Sequence, residues 1–241
     1  MPDDPTNEGA ASAASRPIVE TAVRGLRTPR AAATAGIAFG GLYVLCTLVL
    51  TNRPPDSVGV GEFEDWYRTS AATNLTLVSL YLMPLAGIAF LWFVAVIRNR
   101  IGEREDRFFG TVFIGSGLLF VAMMWAAGAA AASLVAANHL EGVIFPDAAT
   151  YESARSLAHA LFFVYASRAA AIFVIVTSTI ALGTATFPRW LVVLGYAIAV
   201  VQFLSVGLLD ITALLFPTWV VILSGWILVS DTRARPAVTS S

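Results

Sequence analysis

The chain has 241 residues, 57% of them hydrophobic and only 13% charged, with a mean hydropathy of +0.75, against roughly 45–50% apolar and 25% charged in ordinary soluble domains. A net charge of −1 argues against a nucleic-acid-binding surface, and no stretch outside the apolar runs is long enough for a soluble domain. All fifteen basic residues are arginine, which removes Schiff-base and Walker-type chemistry, and the single cysteine, Cys46, removes intramolecular disulfides, Cys-x-x-Cys metal or haem attachment and iron–sulfur ligation.

Residues 1–30 carry Pro2, Pro5, Pro17 and Pro29 among Asp, Glu, Ser and Ala, a composition that predicts a disordered tail on the cytoplasmic side. Arg16, Arg24, Arg27 and Arg30 then precede a first apolar run at 31–51. At 21 residues this run exceeds a signal-peptide core and lacks an Ala-x-Ala site after it, so it is expected to stay as transmembrane helix one. Cys46 within it is read as a small hydrophobe. The segment 52–72 is polar, with Pro54, Pro55, Gly59 and Gly61 followed by Trp66 and Tyr67, which suits a loop and a short interfacial helix.

Helix two is expected at 75–97, bent at Pro84, and helix three at 108–136. Between them lies a charged turn in which Arg98 and Arg100 close one helix while Glu103, Glu105 and Asp106 open the next, each sign opposing the local dipole. The segment 137–159 holds both histidines, His139 and His159, with Glu141, Asp147, Glu152 and Arg155. His139, His159 and Glu141 have the ligand chemistry of an outward metal site, but their wide separation favours unrelated polar groups and no metal. Helices four, five and six follow at about 160–182, 190–209 and 211–230, and 231–241 forms a second cytoplasmic tail. Phe216-Pro217 leaves open a late start for helix six, with 206–215 re-entrant or interfacial.

On this arrangement eleven arginines lie inside, three outside (53, 68 and 155) and one, Arg168, in the membrane. The bias predicts an all-α bundle of six transmembrane helices in a cell membrane with both termini cytoplasmic. Gly36-x-x-x-Gly40 in helix one and Gly110, Gly117 and Gly128 in helix three are small-residue faces of the kind that pack helices closely, within one chain or in an oligomer or partner complex.

The segments Leu82-Met-Pro-Leu-Ala-Gly-Ile-Ala-Phe90 and Gly102-Glu-Arg-Glu-Asp-Arg-Phe-Phe-Gly-Thr-Val-Phe-Ile-Gly-Ser-Gly117 resemble a family of uncharacterised bacterial polytopic membrane proteins. The resemblance covers about a third of the chain. It implies a bacterial inner membrane and brings no activity with it.

No catalytic signature, and no set of acid, base and nucleophile, is present, and no cofactor is implied. The sharpest feature is Arg168, since a guanidinium at mid-membrane costs about 2.5–3.5 kcal/mol on insertion scales unless it snorkels, pairs or meets water. Tyr165 is its expected neighbour, Asp210, ahead of Glu141, its expected counter-ion, directly or through one water, and Gln202 an expected helix-to-helix hydrogen bond. The favoured function is binding or transport of a small solute through a recess near Arg168. The alternative is a structural or partner-binding membrane protein packed dry, and a membrane enzyme ranks third.

Overall fold

The computed structural model describes residues 29–52, 60–67, 69, 72–101, 107–140, 148–205 and 210–233. Residues 1–28 and 234–241, most of the charged turn, Glu141 and residues 206–209 fall outside them, while 29–30 and 231–233, expected in the tails, are helical. Among the described residues every regular element is helical. We number the helices α1 (Pro29–Thr51), α2 (Val60–Trp66), α3 (Ala72–Leu77, continued through Val78–Leu82 and Met83–Ile101), α4 (Arg107–Leu140), α5 (Ala148–His159, continued through Ala160–Ala166 and Ser167–Thr184), α6 (Arg189–Leu204) and α7 (Leu215–Arg233).

Five helices are long and apolar enough to cross a membrane: α1, α3, α4, α5 and α7. The sixth, α6, is apolar but has only 16 residues, about 24 Å of helix against a hydrocarbon core of about 30 Å. The helices carry apolar side chains on their outer faces as well, such as Leu48, Leu80, Ile88, Leu118, Val193 and Leu204, which are exposed. An apolar helix surface on all sides is what lipid contact requires. The protein is therefore a multi-pass helical membrane protein.

Several boundaries differ from those the sequence suggested. The helix placed at 160–182 is the second half of α5, which begins at Ala148, and the helix placed at 108–136 extends to Leu140. The helix placed at 190–209 stops at Leu204, where the Ser205 hydroxyl and amide both donate to Val201 O, at 2.6 and 2.9 Å. After a 3-10 turn at Asp210–Leu214, α7 starts at Leu215. Pro217 thus falls in the first helical turn, where a missing N–H costs nothing.

The two π-helical segments have local causes or neighbours worth naming. Val78–Leu82 stands directly before Pro84, whose ring clashes with the carbonyl four residues back, and a widened turn relieves that clash. Ala160–Ala166 separates His159 from Arg168 in α5. At its far end α5 closes with Ala185 in the left-handed region (φ 52°) and with the Thr186 amide donating to Ala181 O at 3.3 Å, a Schellman ending made without glycine.

The long helices form a ring in chain order: α1 packs on α3, α3 on α4, α4 on α5, α5 on α6, α6 on α7, and α7 returns to α1. Phenyl rings fill the centre. Phe39 of α1, Phe90 of α3, Phe120 of α4, Phe173 of α5 and Phe216 of α7 are each fully buried. Phe90 sits 4.9 to 5.6 Å, centroid to centroid, from the other four. Most of these contacts are edge-on, the arrangement favoured by the aromatic quadrupole.

The small-residue faces are used inside the chain. A Cβ on Gly36 would collide with Ser224 Oγ, and one on Gly40 with Val221, so this motif seats α1 on α7. Gly128 lies against Met83 of α3, and Gly117 is in van der Waals range of Phe173 and Val94, while Gly110 is half-buried.

Candidate functional site

Helix α5 carries most of the polar residues that matter, and its two arginines lie in different settings. Arg168 is half-buried and donates through Nη1 to Val164 O, four residues back, at 3.1 Å. One guanidinium N–H is thus satisfied on its own helix, at the π-helical segment. Tyr165 is 59% exposed, so it points away from the ring and does not line a recess with Arg168. The stripe through Leu161, Arg168, Ile172, Ile175 and Thr179 is half-buried, an edge of the helix at the periphery of the ring, and Thr179 Oγ1 meets Tyr196 OH of α6 at 2.8 Å.

Asp210 opens the 3-10 turn, but its side chain falls outside the described residues, as does all of Glu141. Gln202 is 1% exposed in α6, and among the described residues neither its amide oxygen nor its amide nitrogen has a hydrogen-bond partner. The expected interhelical bond is not seen among the described residues. Two further buried groups without partners stand near Gly195 on the same face of α6, two turns away: Ser178 Oγ and Trp219 Nε1, both close to where a Gly195 Cβ would be.

The more site-like arrangement lies at the end of the ring opposite Arg100 and Arg189. There a small cavity of about 20 Å³ is lined by Leu50 and Asn52 of the α1 end, Leu75 of α3, Leu134 of α4, and Tyr151, Arg155 and His159 of α5. Such a volume holds about one water-sized occupant. Arg155 is mostly buried, its side chain 15% exposed, and its Nη1 donates to Glu152 Oε1 at 3.4 Å across one helical turn. Its Nε and Nη2 are buried with no partner among the described residues. A buried donor left without an acceptor costs about 1–3 kcal/mol, and more when it is charged.

Packing explains how an arginine came to be enclosed here. Tyr151, Arg155, Ala158 and Phe162 recur at spacings of three and four, so they share one face of α5, and that face turns toward α4. Tyr151 (4% exposed) and Ala158 (2%) join Tyr67, Leu75, Ala131 and Leu134 in an apolar cluster separate from the main core. Tyr67 OH donates to Leu134 O at 2.8 Å, fixing the segment after α2 against α4. Phe63 and Trp66 stack edge-on against Tyr151 at 5.5 and 5.8 Å, and the His159 ring lies 4.5 Å from Phe163. Among the described residues no three metal-binding side chains gather, and the His139 side chain lies outside them.

The chain matches no protein family, no curated protein and no solved structure.

Proposed function

We propose that this multi-pass membrane protein binds a small polar solute in the cavity beside Arg155, at the end of the ring opposite Arg100, and that it holds the solute there instead of passing it through the centre. The observation that carries this reading is the Arg155 guanidinium, enclosed at the cavity wall with two nitrogens, Nε and Nη2, that find no acceptor among the described residues. The five phenyl rings support binding over passage, because they fill the centre of the bundle with apolar side chains. Arg168 belongs to this reading as a structural cation, pairing with Asp210 directly or through a water.

The arginine bias supports a plasma-membrane orientation with both termini cytoplasmic, which puts the cavity on the outer side. Cysteines introduced at Val60, Gly102 and Phe145 test that topology: an impermeant reagent added outside should label 60 and 145 and spare 102, and the reverse pattern rejects it. For the function itself, a solute panel read as thermal shift in detergent should return at least one compound whose stabilisation disappears in Arg155→Gln. A panel in which every stabilising compound acts equally on that variant would remove the proposal.

One observation favours a second reading, an accessory protein that receives a partner helix. Between α1 and α3 runs an apolar groove of about 480 Å³, floored by the small residues Thr34, Ala35, Ala38 and Ala89 and walled by Leu42, Leu85, Ile88 and Trp92. Small residues on a membrane-facing surface let another helix approach closely.

A further inference from the structure

The cavity beside Arg155 has the size and the charge of a site for one monatomic anion, and we propose that it binds a halide ion, chloride in the natural setting. This rests on the solute-binding reading above and names its ligand class. Size is the first argument. About 20 Å³ is room for about one water-sized occupant, which suits a single halide ion better than a polyatomic anion.

Charge is the second. Among the described residues the lining contains one permanent cation, Arg155, with the donor-bearing side chains of Asn52, Tyr151 and His159, and no Asp or Glu. The nearby carboxylate, Glu152, is 60% exposed and engages the guanidinium through Nη1, leaving Nε and Nη2 as the two N–H groups in want of an acceptor. A buried guanidinium in weakly polar surroundings attracts an anion far more strongly than one in water. The remaining wall is apolar, Val49, Leu50, Leu75, Ala131, Leu134 and Ala158. Such a wall favours a weakly hydrated ion such as chloride or bromide, and it gives a neutral polar solute few hydrogen bonds.

The test uses the full chain in detergent, exchanged into gluconate at fixed ionic strength and titrated with sodium chloride or bromide. Halide binding stabilises the folded state in proportion to the logarithm of one plus its concentration over Kd. The expected result is a rise in Tm that follows this logarithm with either halide, together with saturable bromide quenching of Trp66, whose ring lies 5.8 Å from Tyr151. The quenching difference is read against Trp66→Phe. Arg155→Gln should abolish both signals and Arg155→Lys should retain a weakened one. If Arg155→Gln fails to fold, Ala131→Val, which keeps the guanidinium and fills the cavity, should lower the halide response at least tenfold. A wild-type protein with no saturable halide effect overturns the proposal, and so does an effect that persists unchanged in these variants. The two levels fail differently: an Arg155-dependent shift produced by a neutral solute and by no halide rejects the anion but keeps the solute site, whereas no Arg155-dependent shift with any solute rejects both.

Discussion

Arg155 and Glu152 face each other across one turn of α5, Nη1 to Oε1 at 3.4 Å, with the carboxylate mostly in solvent and the guanidinium mostly out of it. An ion pair so exposed on one side contributes about 0.2–1 kcal/mol, so it does not explain why the arginine is enclosed. Glu152→Gln should change stability by less than about 1 kcal/mol and should tighten halide binding, since it removes a negative charge that engages the guanidinium. Weakened halide binding in this variant would mean that the carboxylate positions the guanidinium.

Phe90 touches the other four rings at the centre of the bundle, and its removal should leave a cavity that five helices cannot close. Phe90→Ala is expected to lower the free energy of unfolding by about 3–5 kcal/mol. Phe203→Ala, at a residue 48% exposed on α6, should cost much less. Denaturant unfolding in mixed micelles compares the two, and equal losses would contradict a single packed centre.

Gly195 sets how closely α6 approaches α5 and α7. A methyl group there meets Ser178 Oγ, and Trp219 Nε1 lies 3.1 Å from the same point. Gly195→Ala should therefore destabilise by about 1–3 kcal/mol through overpacking. Because Ser178 Oγ has no partner among the described residues, Ser178→Ala should be nearly neutral alone and should restore much of the loss in the double variant. Strictly additive effects would show that the two residues do not touch.

Gln202 presents the opposite case, a polar group whose loss should help. With both amide atoms buried and unpartnered, Gln202→Leu should raise stability by about 1–3 kcal/mol and leave halide binding unchanged. A loss of stability would show that the amide is satisfied by water or by another conformation of the chain.

The membrane class and most of the helix positions were legible because apolar runs of about 20 residues separated by charged turns admit few other readings. Pro217 even marked where α7 starts late. The site was much less legible. Arg168 drew attention because its flanks are apolar, yet it bonds to its own backbone at the edge of the ring, while Arg155 sits in Tyr151-Glu-Ser-Ala-Arg155, which reads as an exposed loop. What encloses Arg155 is tertiary: the ends of α1, α3 and α4 converge on a face of α5 that begins twelve residues earlier than the apolar run. The spacing of Tyr151, Arg155, Ala158 and Phe162 was the available signal, and it means something only once Ala148–His159 is known to be helical. The central phenyl rings were equally hidden, since nothing in the order of five separated phenylalanines shows that they meet.

The most direct measurement is anomalous diffraction from crystals grown with bromide in place of chloride. The account predicts a bromide peak beside Arg155, within about 3.5 Å of Nε or Nη2, enclosed by Tyr151, His159 and Leu134. An ordered site elsewhere in the ring with none at Arg155, most tellingly one at the Arg168 guanidinium, would contradict it.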